Sequence, residues 1–231
     1  WLEKAGIKCM VFNPIIPFFS LVMNNRDHRK ILDIDGHTAY TGGINLSDEY
    51  INEIVRFGYW KDTGVRLHGE GVWSFLHQAK KYVYIFTPYL IVDDVMRNAL
   101  CQAAKRGVDV RIVTPGIPDK PTVFRITRSN YPPLLRAGVR IYEYTPGFIH
   151  AKSYICDDEF GVVGSVNMDF RSLYLHFECA TLLYRTEGLK ELKEDSIRTI
   201  EQSREITLDD CKKGIVGGLV DSVLRVFAPL C

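Results

Sequence analysis

Two short stretches of this chain carry a histidine, a lysine and an aspartate at the same spacing. Near neutral pH an imidazole can act as a nucleophile or as a general acid or base, and a lysine supplies positive charge that suits a phosphate group. The repeat therefore predicts one active site assembled from two halves of the chain. The predicted catalytic set is His28, Lys30 and Asp35 in HRKILDID, with His150, Lys152 and Asp157 in HAKSYICD.

Strand geometry separates the roles within each stretch. Alternate side chains of a β-strand point to the same face, so each lysine is expected to lie beside its histidine. Asp35 and Asp157 follow their histidines by an odd number of positions and are expected to face away. The histidine and lysine are thus predicted to be the chemical pair, and the aspartate to support them structurally.

Further repeated residues follow each stretch. A pair of small residues and an asparagine recur as GGIN at 42–45 and GSVN at 164–167. The small residues permit close backbone approach, and Asn45 and Asn167 are predicted to donate to a bound phosphate. Two histidines that face one phosphorus atom permit a two-step transfer, in which one attacks and the other moves the proton. Asp62 and Glu178 are candidates to orient the imidazoles, and a surface ion pair is an equally open interpretation of both.

Composition excludes several other classes of protein. The chain has 231 residues, of which 46% are hydrophobic and 25% charged, as in soluble globular proteins that bury a core. Its net charge of +1 gives no electrostatic footprint for broad nucleic-acid binding. The six cysteines form no C-x-x-C pair, which favours buried thiols over a disulfide framework or a zinc site. No metal and no cofactor are predicted.

The order of elements indicates an α/β fold. Strands are predicted over 81–87, 108–113 and 139–144, separated by helices that run from Asp93 or Asp94 to Gly107 and over 124–137, the second disrupted at Pro132-Pro133. A β-hairpin is predicted to follow, with strands at 150–156 and 161–164. The predicted halves are residues 1–75 and 76–231. Because the first has no counterpart of residues 76–133, the chain is expected to be a fragment or to have an incomplete first half.

Two H-x-K-x-x-x-x-D motifs with GGIN and GSVN downstream resemble the phospholipase D superfamily. Longer stretches, among them NRDHRK, YWKDT, GFIHAK and GSVNMD, resemble bacterial cardiolipin synthases. The resemblance implies two pseudo-symmetric phospholipase D-like halves, each a mixed β-sheet flanked by helices, with one active site at their interface. It also implies a phosphatidyltransferase that joins two phosphatidylglycerols into cardiolipin and releases glycerol. His28 is the expected nucleophile, by analogy with the superfamily.

The same resemblance implies phosphatidylglycerol and membrane lipid as partners, and a place at a bacterial cell membrane with the catalytic domain on the cytoplasmic side. The net charge of +1 predicts no nucleic acid as a partner. Other functions use the same residues: a hydrolytic phospholipase D, a phosphatidylserine synthase, a phosphodiester nuclease or an inactive module that binds anionic lipid. The apolar loop between Pro14 and His28, which has no counterpart in the second half, fits either a lipid-accepting surface or packing on the core.

Overall fold

The computed structural model describes residues 3–10, 27–34, 38–68, 79–212 and 224. Three features discussed from the sequence lie outside the described residues: Asp35, residues 15–26 of the apolar loop, and the boundary predicted at residue 75. The described helices are α1 (Asp94–Lys105), α2 (Pro121–Ser129), α3 (Tyr131–Arg136) and α4 (Gly188–Glu201). The described strands are β1 (Ile31–Ile34), β2 (Thr38–Gly42), β3 (Tyr59–Lys61), β4 (Gly64–His68), β5 (Tyr82–Phe86), β6 (Leu90–Ile91), β7 (Asp109–Pro115), β8 (Arg140–Tyr144), β9 (Gly147–Ile149), β10 (Ser153–Cys156), β11 (Phe160–Gly164), β12 (Met168–Asp169), β13 (Ala180–Tyr184) and β14 (Ser203–Ile206).

A seven-stranded mixed sheet forms the centre of the fold, in the order β13-β11-β10-β5-β7-β8-β14. Its middle strands β5, β7 and β8 are parallel, and the outer strands are antiparallel to their neighbours. Both faces are covered: Val83 and Ile85 of β5 pack with Leu100 and Leu134 of the helices α1 and α3. On the opposite face, Tyr84 packs in a cluster with residues of α4. The predicted mixed α/β sheet flanked by helices is confirmed.

Local signals set the element boundaries. The Asp93 side chain accepts a hydrogen bond of 2.7 Å from the Met96 N–H and so caps α1, and Gly107 follows the helix with a φ of +90°. The helix predicted over 124–137 is two helices that meet at Asn130. Pro132 lies in the first turn of α3, where its missing N–H costs nothing. The break therefore comes before the prolines.

The first segment contributes a smaller antiparallel sheet, β1-β2-β4. Strand β3 leaves that segment and pairs in parallel with β9 of the second. The two predicted halves thus contribute sheets of different size among the described residues, and they are joined by main-chain pairing. No helix of the described part is long and apolar enough to cross a membrane.

Asp157 lies in the turn between β10 and β11, with a φ of +54°. Its carboxylate accepts hydrogen bonds from the main-chain N–H groups of Lys80, Lys81 and Tyr82, at 2.6, 2.9 and 2.8 Å. The pKa of Asp157 is lowered because these hydrogen bonds outweigh the effect of burial. Asp157 therefore fixes the start of the central strand β5, which is a structural role rather than a place at the reacting atoms.

Candidate active site

His28 is positioned by a short parallel pairing of two loops. Asp27 forms a β-bridge with Phe177, and the His28 N–H donates to the Phe177 carbonyl at 3.0 Å. Glu178 is the next residue, so its carboxylate comes to lie beside the imidazole. His28 Nδ1 is 3.0 Å from Glu178 Oε2.

His150 is positioned in the same way by the strands β3 and β9. The His150 N–H donates to the Lys61 carbonyl at 2.6 Å, directly after the β3–β9 pairing. Asp62 follows Lys61, and its Oδ2 lies 2.8 Å from His150 Nδ1. In both places, a parallel pairing holds a histidine against the carboxylate of the residue that follows its main-chain partner.

The two histidine–carboxylate pairs cross between the predicted halves. His28 of the first half binds Glu178 of the second, and His150 of the second half binds Asp62 of the first. Both carboxylates are candidates that the sequence offers for orienting the imidazoles, because they follow the two motifs at comparable distances. The sequence carries no signal for the exchange, which results from the main-chain pairing of distant segments.

The repeated small residues make room for these carboxylates and for the strands that follow them. A Cβ on Gly42 would lie 2.7 Å from the Thr63 carbonyl oxygen, and one on Gly164 would lie 2.3 Å from that of Cys179. At the next position, a Cβ on Gly43 would lie 2.5 Å from Asp62 Oδ1. Ser165 takes the corresponding place in the second copy, and its hydroxyl donates to Glu178.

The two lysines lie beside their histidines, as the sequence predicts. Lys152 Nζ donates to the His150 carbonyl at 2.6 Å, and Lys30 Nζ donates to that of His28 at 2.5 Å. Lys152 is fully buried, and burial lowers its pKa to about 7. Burial also lowers the pKa of Lys30 to about 8.

The histidines differ in their surroundings. His150 packs against the rings of Tyr50, Trp60 and Phe148, with centroids 5.1, 5.3 and 6.0 Å away. Burial, together with the charge of Lys152, lowers its pKa to about 4. The side chain of His28 is 27% exposed, against 9% for His150. His28 is therefore the more accessible of the two.

Glu178 is the most heavily bonded carboxylate of the site. Besides His28 it accepts hydrogen bonds from the hydroxyls of Ser165 and Ser172. Burial raises its pKa, but the hydrogen bonds from His28 and the serines outweigh that effect and the net shift is downward. Glu178 is thus held as an anion beside the imidazole of His28.

Both histidines line one cavity of about 890 Å³. Asn45 and Asn167, the predicted phosphate ligands, line it as well. Asn45 Nδ2 donates to the Tyr50 hydroxyl at 2.5 Å, and the Asn167 side chain hydrogen-bonds to Asp169. An amide nitrogen carries two N–H bonds, so each asparagine can keep this partner and still donate to a phosphate.

Sequence reasoning missed other residues that line this cavity. They include Tyr50, Trp60, Tyr89 and Asp119. Tyr89 and Asp119 follow the neighbouring parallel strands β5 and β7, and the carboxyl ends of such strands are a common place for ligands. Their place after two predicted strands was the signal in the sequence that could have identified them, because neither residue belongs to the repeated motif.

One group of described residues has the geometry to hold a metal ion. The ligating atoms of His28, His176 and Glu178 lie within 4.8 Å of one another. These residues already have partners: Glu178 binds His28, and His176 Nε2 lies 3.3 Å from Arg171 Nε. That the reaction needs no metal stays a prediction.

The lysine pKa values predict how anion binding depends on pH. Raising the pH from 7 to 9 should deprotonate Lys152 and Lys30 in the unliganded protein, since their pKa values are about 7 and about 8. We expect the affinity for dimethyl phosphate, which is a monoanion over this range, to fall by at least roughly tenfold. Isothermal titration calorimetry at each pH measures this, and an affinity that is constant with pH would contradict it.

Comparison with known proteins identifies relatives. A family model described as cardiolipin synthase, PLD-like domain, matches residues 72–199. The chain is 46% identical over 285 residues to an uncharacterized protein of Streptococcus mutans, with 99% of this chain and 62% of that protein covered. It is 34% identical over 287 residues to a cardiolipin synthase of Alkalihalophilus pseudofirmus, with 99% and 57% covered. The chain thus spans about three fifths of the length of these relatives.

Among solved structures, the chain is similar to a phosphatidylserine synthase from Haemophilus influenzae, with a TM-score of 0.52 and 17% identity. The match covers 66% of this chain and 40% of that protein. At this identity the similarity concerns the fold alone. It agrees with the mixed α/β architecture, and the resemblance stated from the motifs is confirmed by the family match.

Proposed function

Because this chain belongs to the cardiolipin synthase family of phospholipase D-like proteins, we propose that it is a phosphatidyltransferase that condenses two phosphatidylglycerols into cardiolipin and glycerol. The observation that carries the proposal is the pair of crossed histidine–carboxylate contacts at one cavity. Each carboxylate at Nδ1 leaves the Nε2 atom of its histidine for chemistry. Two such histidines suit a reaction with one attacking and one proton-transferring group.

In the first step, His28 Nε2 attacks the phosphorus of a phosphatidylglycerol. An N–P bond forms, the P–O bond to the glycerol headgroup breaks, and protonated His150 gives its Nε2 proton to the leaving oxygen. The bound anionic phosphate favours protonation of His150, because opposite charge raises the pKa of a base. Since His150 is a weak base in its buried site, it is a strong acid once protonated.

In the second step, a hydroxyl of another phosphatidylglycerol gives its proton to His150 Nε2. Its oxygen bonds to phosphorus as the N–P bond breaks, which releases cardiolipin and restores His28. Lys30 and Lys152, with Asn45 and Asn167, bind the phosphate oxygens and stabilise the charge that develops on them. Glu178 and Asp62 hold the two imidazoles in orientation.

The proposal includes a bacterial membrane as the place of action, with the catalytic domain on the cytoplasmic side. The family match and relatives such as the cardiolipin synthase of Alkalihalophilus pseudofirmus support the membrane, and the cytoplasmic side follows from the resemblance alone. A lipid substrate requires the cavity to meet a bilayer.

The test is incubation of the purified protein with vesicles of phosphatidylglycerol labelled in its headgroup glycerol. Cardiolipin and free labelled glycerol in equal amounts are the expected products, and His28→Ala should form neither. Phosphatidic acid in place of cardiolipin would indicate a hydrolase. Vesicle binding without turnover would indicate a lipid-binding module, and either result would overturn the proposal.

A further inference from the structure

A second set of residues in the active-site cavity has no part in the steps above. Tyr89 and Asp119 both line the cavity, and the Tyr89 hydroxyl donates to Asp119 Oδ2 at 2.6 Å. We propose that Asp119, held in place by Tyr89, binds hydroxyl groups of the substrate headgroup and so selects a polyol. This inference rests on the proposed function and names residues that would recognise its alcohol portion.

The charges of the cavity wall favour this class of ligand. A carboxylate repels a phosphodiester, but its oxygens accept hydrogen bonds from hydroxyl groups. The acidic residues that line the cavity are matched by as many cations: Glu49, Asp119 and Asp169 against Arg56, Lys120 and Arg171. Lys120 Nζ lies 5.4 Å from the centre of the Tyr89 ring. A cation over the ring of Tyr89, the partner of Asp119, disfavours an ammonium headgroup and leaves the neutral hydroxyl as the preferred ligand.

Two residues that line the cavity carry buried polar atoms without a hydrogen-bond partner in the described part of the chain, which agrees with a hydroxyl ligand. Trp60 and Asn167 line the cavity and are 7% and 6% exposed. Among the described residues, Trp60 Nε1 and Asn167 Oδ1 have no hydrogen-bond partner. The first is a donor and the second an acceptor. A hydroxyl group both donates and accepts, whereas a phosphate diester can only accept and an ammonium can only donate.

The position of Asp119 fits recognition of a headgroup whose phosphate lies at the histidines. Tyr50 connects the two regions, because its ring packs 5.1 Å from that of His150 and the charge of Asp119 contributes to its raised pKa, of which burial is the main cause. The glycerol of a phosphatidylglycerol carries two hydroxyls beyond its ester oxygen. Asp119 is therefore a specificity residue, and Tyr89 is a positioning residue.

The test compares ligands that differ in those hydroxyls. Glycerol 1-phosphate and 1-propyl phosphate share their phosphate and carbon chain, and calorimetry measures the affinity of each for the purified protein. We expect glycerol 1-phosphate to bind about tenfold more tightly. In Asp119→Asn the preference should fall below about threefold, and in Tyr89→Phe it should be partly lost. Asp94→Asn, which makes the same charge change on an exposed side chain of α1, should keep it in full.

Equal affinities in the unaltered protein would overturn the inference, as would a preference that survives in folded Asp119→Asn or, if that variant does not fold, in Tyr89→Phe. Tighter binding of ethanolamine phosphate than of glycerol 1-phosphate would also overturn it, since that ligand carries an ammonium group. Thermal melting checks that each variant is folded. If Asp119→Asn does not fold, Tyr89→Phe still tests the inference, because it removes the hydroxyl and keeps the packing of the ring. Because binding needs no turnover, a failed cardiolipin assay with an intact polyol preference would refute the proposed function alone.

Discussion

Replacing His28 with alanine should lower the rate of phosphatidyl transfer by roughly 10⁴-fold, and His150→Ala should do the same with phosphatidylglycerol as substrate. Both histidines line one cavity, and each is held through Nδ1 by a carboxylate. Neither role has a substitute, because glycerol leaves slowly without a proton and the phosphorus is not attacked without a nucleophile. Release of labelled glycerol measures the rate.

A second substrate separates the two roles. A phosphatidyl ester of p-nitrophenol has a leaving group that departs without a proton, so the first step no longer needs an acid. We expect His150→Ala to release nitrophenolate in a burst and to accumulate a phosphorus adduct on His28, visible by mass spectrometry of the denatured protein. The His28→Ala protein should release none.

The opposite labelling result would exchange the roles of the two histidines. An adduct on His150 in the His28→Ala protein would make His150 the nucleophile, a role for which its lowered pKa of about 4 would keep it in the required neutral form. Failure of His150→Ala to release nitrophenolate would contradict its role as an acid. Lys212→Ala, at an exposed ion pair with Asp209, is the control that should leave both rates unchanged.

The sequence predicted the elements whose signals are local. The strand at 81–87 matches β5, and the helix from Asp93 to Gly107 matches α1, because an apolar β-branched run, a capping aspartate and a terminating glycine act within a few residues. The hairpin strand predicted from His150 begins instead at Ser153. The main chain at His150 binds Lys61 of the other segment, and no local pattern encodes that contact.

The active site likewise has residues that the sequence predicts and residues that only the folded chain brings together. Repetition was enough to make the histidines, lysines and asparagines candidates, because the same residue types recur at the same spacing. The repeat did not indicate which carboxylate serves which histidine, and the structure pairs each histidine with the carboxylate of the other predicted half. Residues such as Tyr89 and Asp119 reach the cavity from strand ends that only the folded sheet brings together.

The crossed pairs make a prediction about which variants share a phenotype. If Glu178 orients the nucleophile His28, Glu178→Gln should slow release of both glycerol and nitrophenolate, as His28→Ala does. If Asp62 orients the acid His150, Asp62→Asn should slow release of glycerol by roughly 10²–10⁴-fold and spare the burst of nitrophenolate. An amide in either place can no longer stabilise a positive imidazole or hold its Nδ1–H as strongly.

The alternative is that each carboxylate acts on the histidine of its own half. Asp62→Asn would then copy His28→Ala and lose nitrophenolate release, which would contradict the crossed arrangement. Asp158→Asn is a matched control, because it changes an exposed carboxylate whose partners, Lys193 and the Tyr82 hydroxyl, do not line the cavity. Because each histidine is paired with a carboxylate of the other segment, neither histidine can be oriented until the two segments have docked. Activity should therefore require both segments in contact, since each supplies the carboxylate that the other's histidine needs.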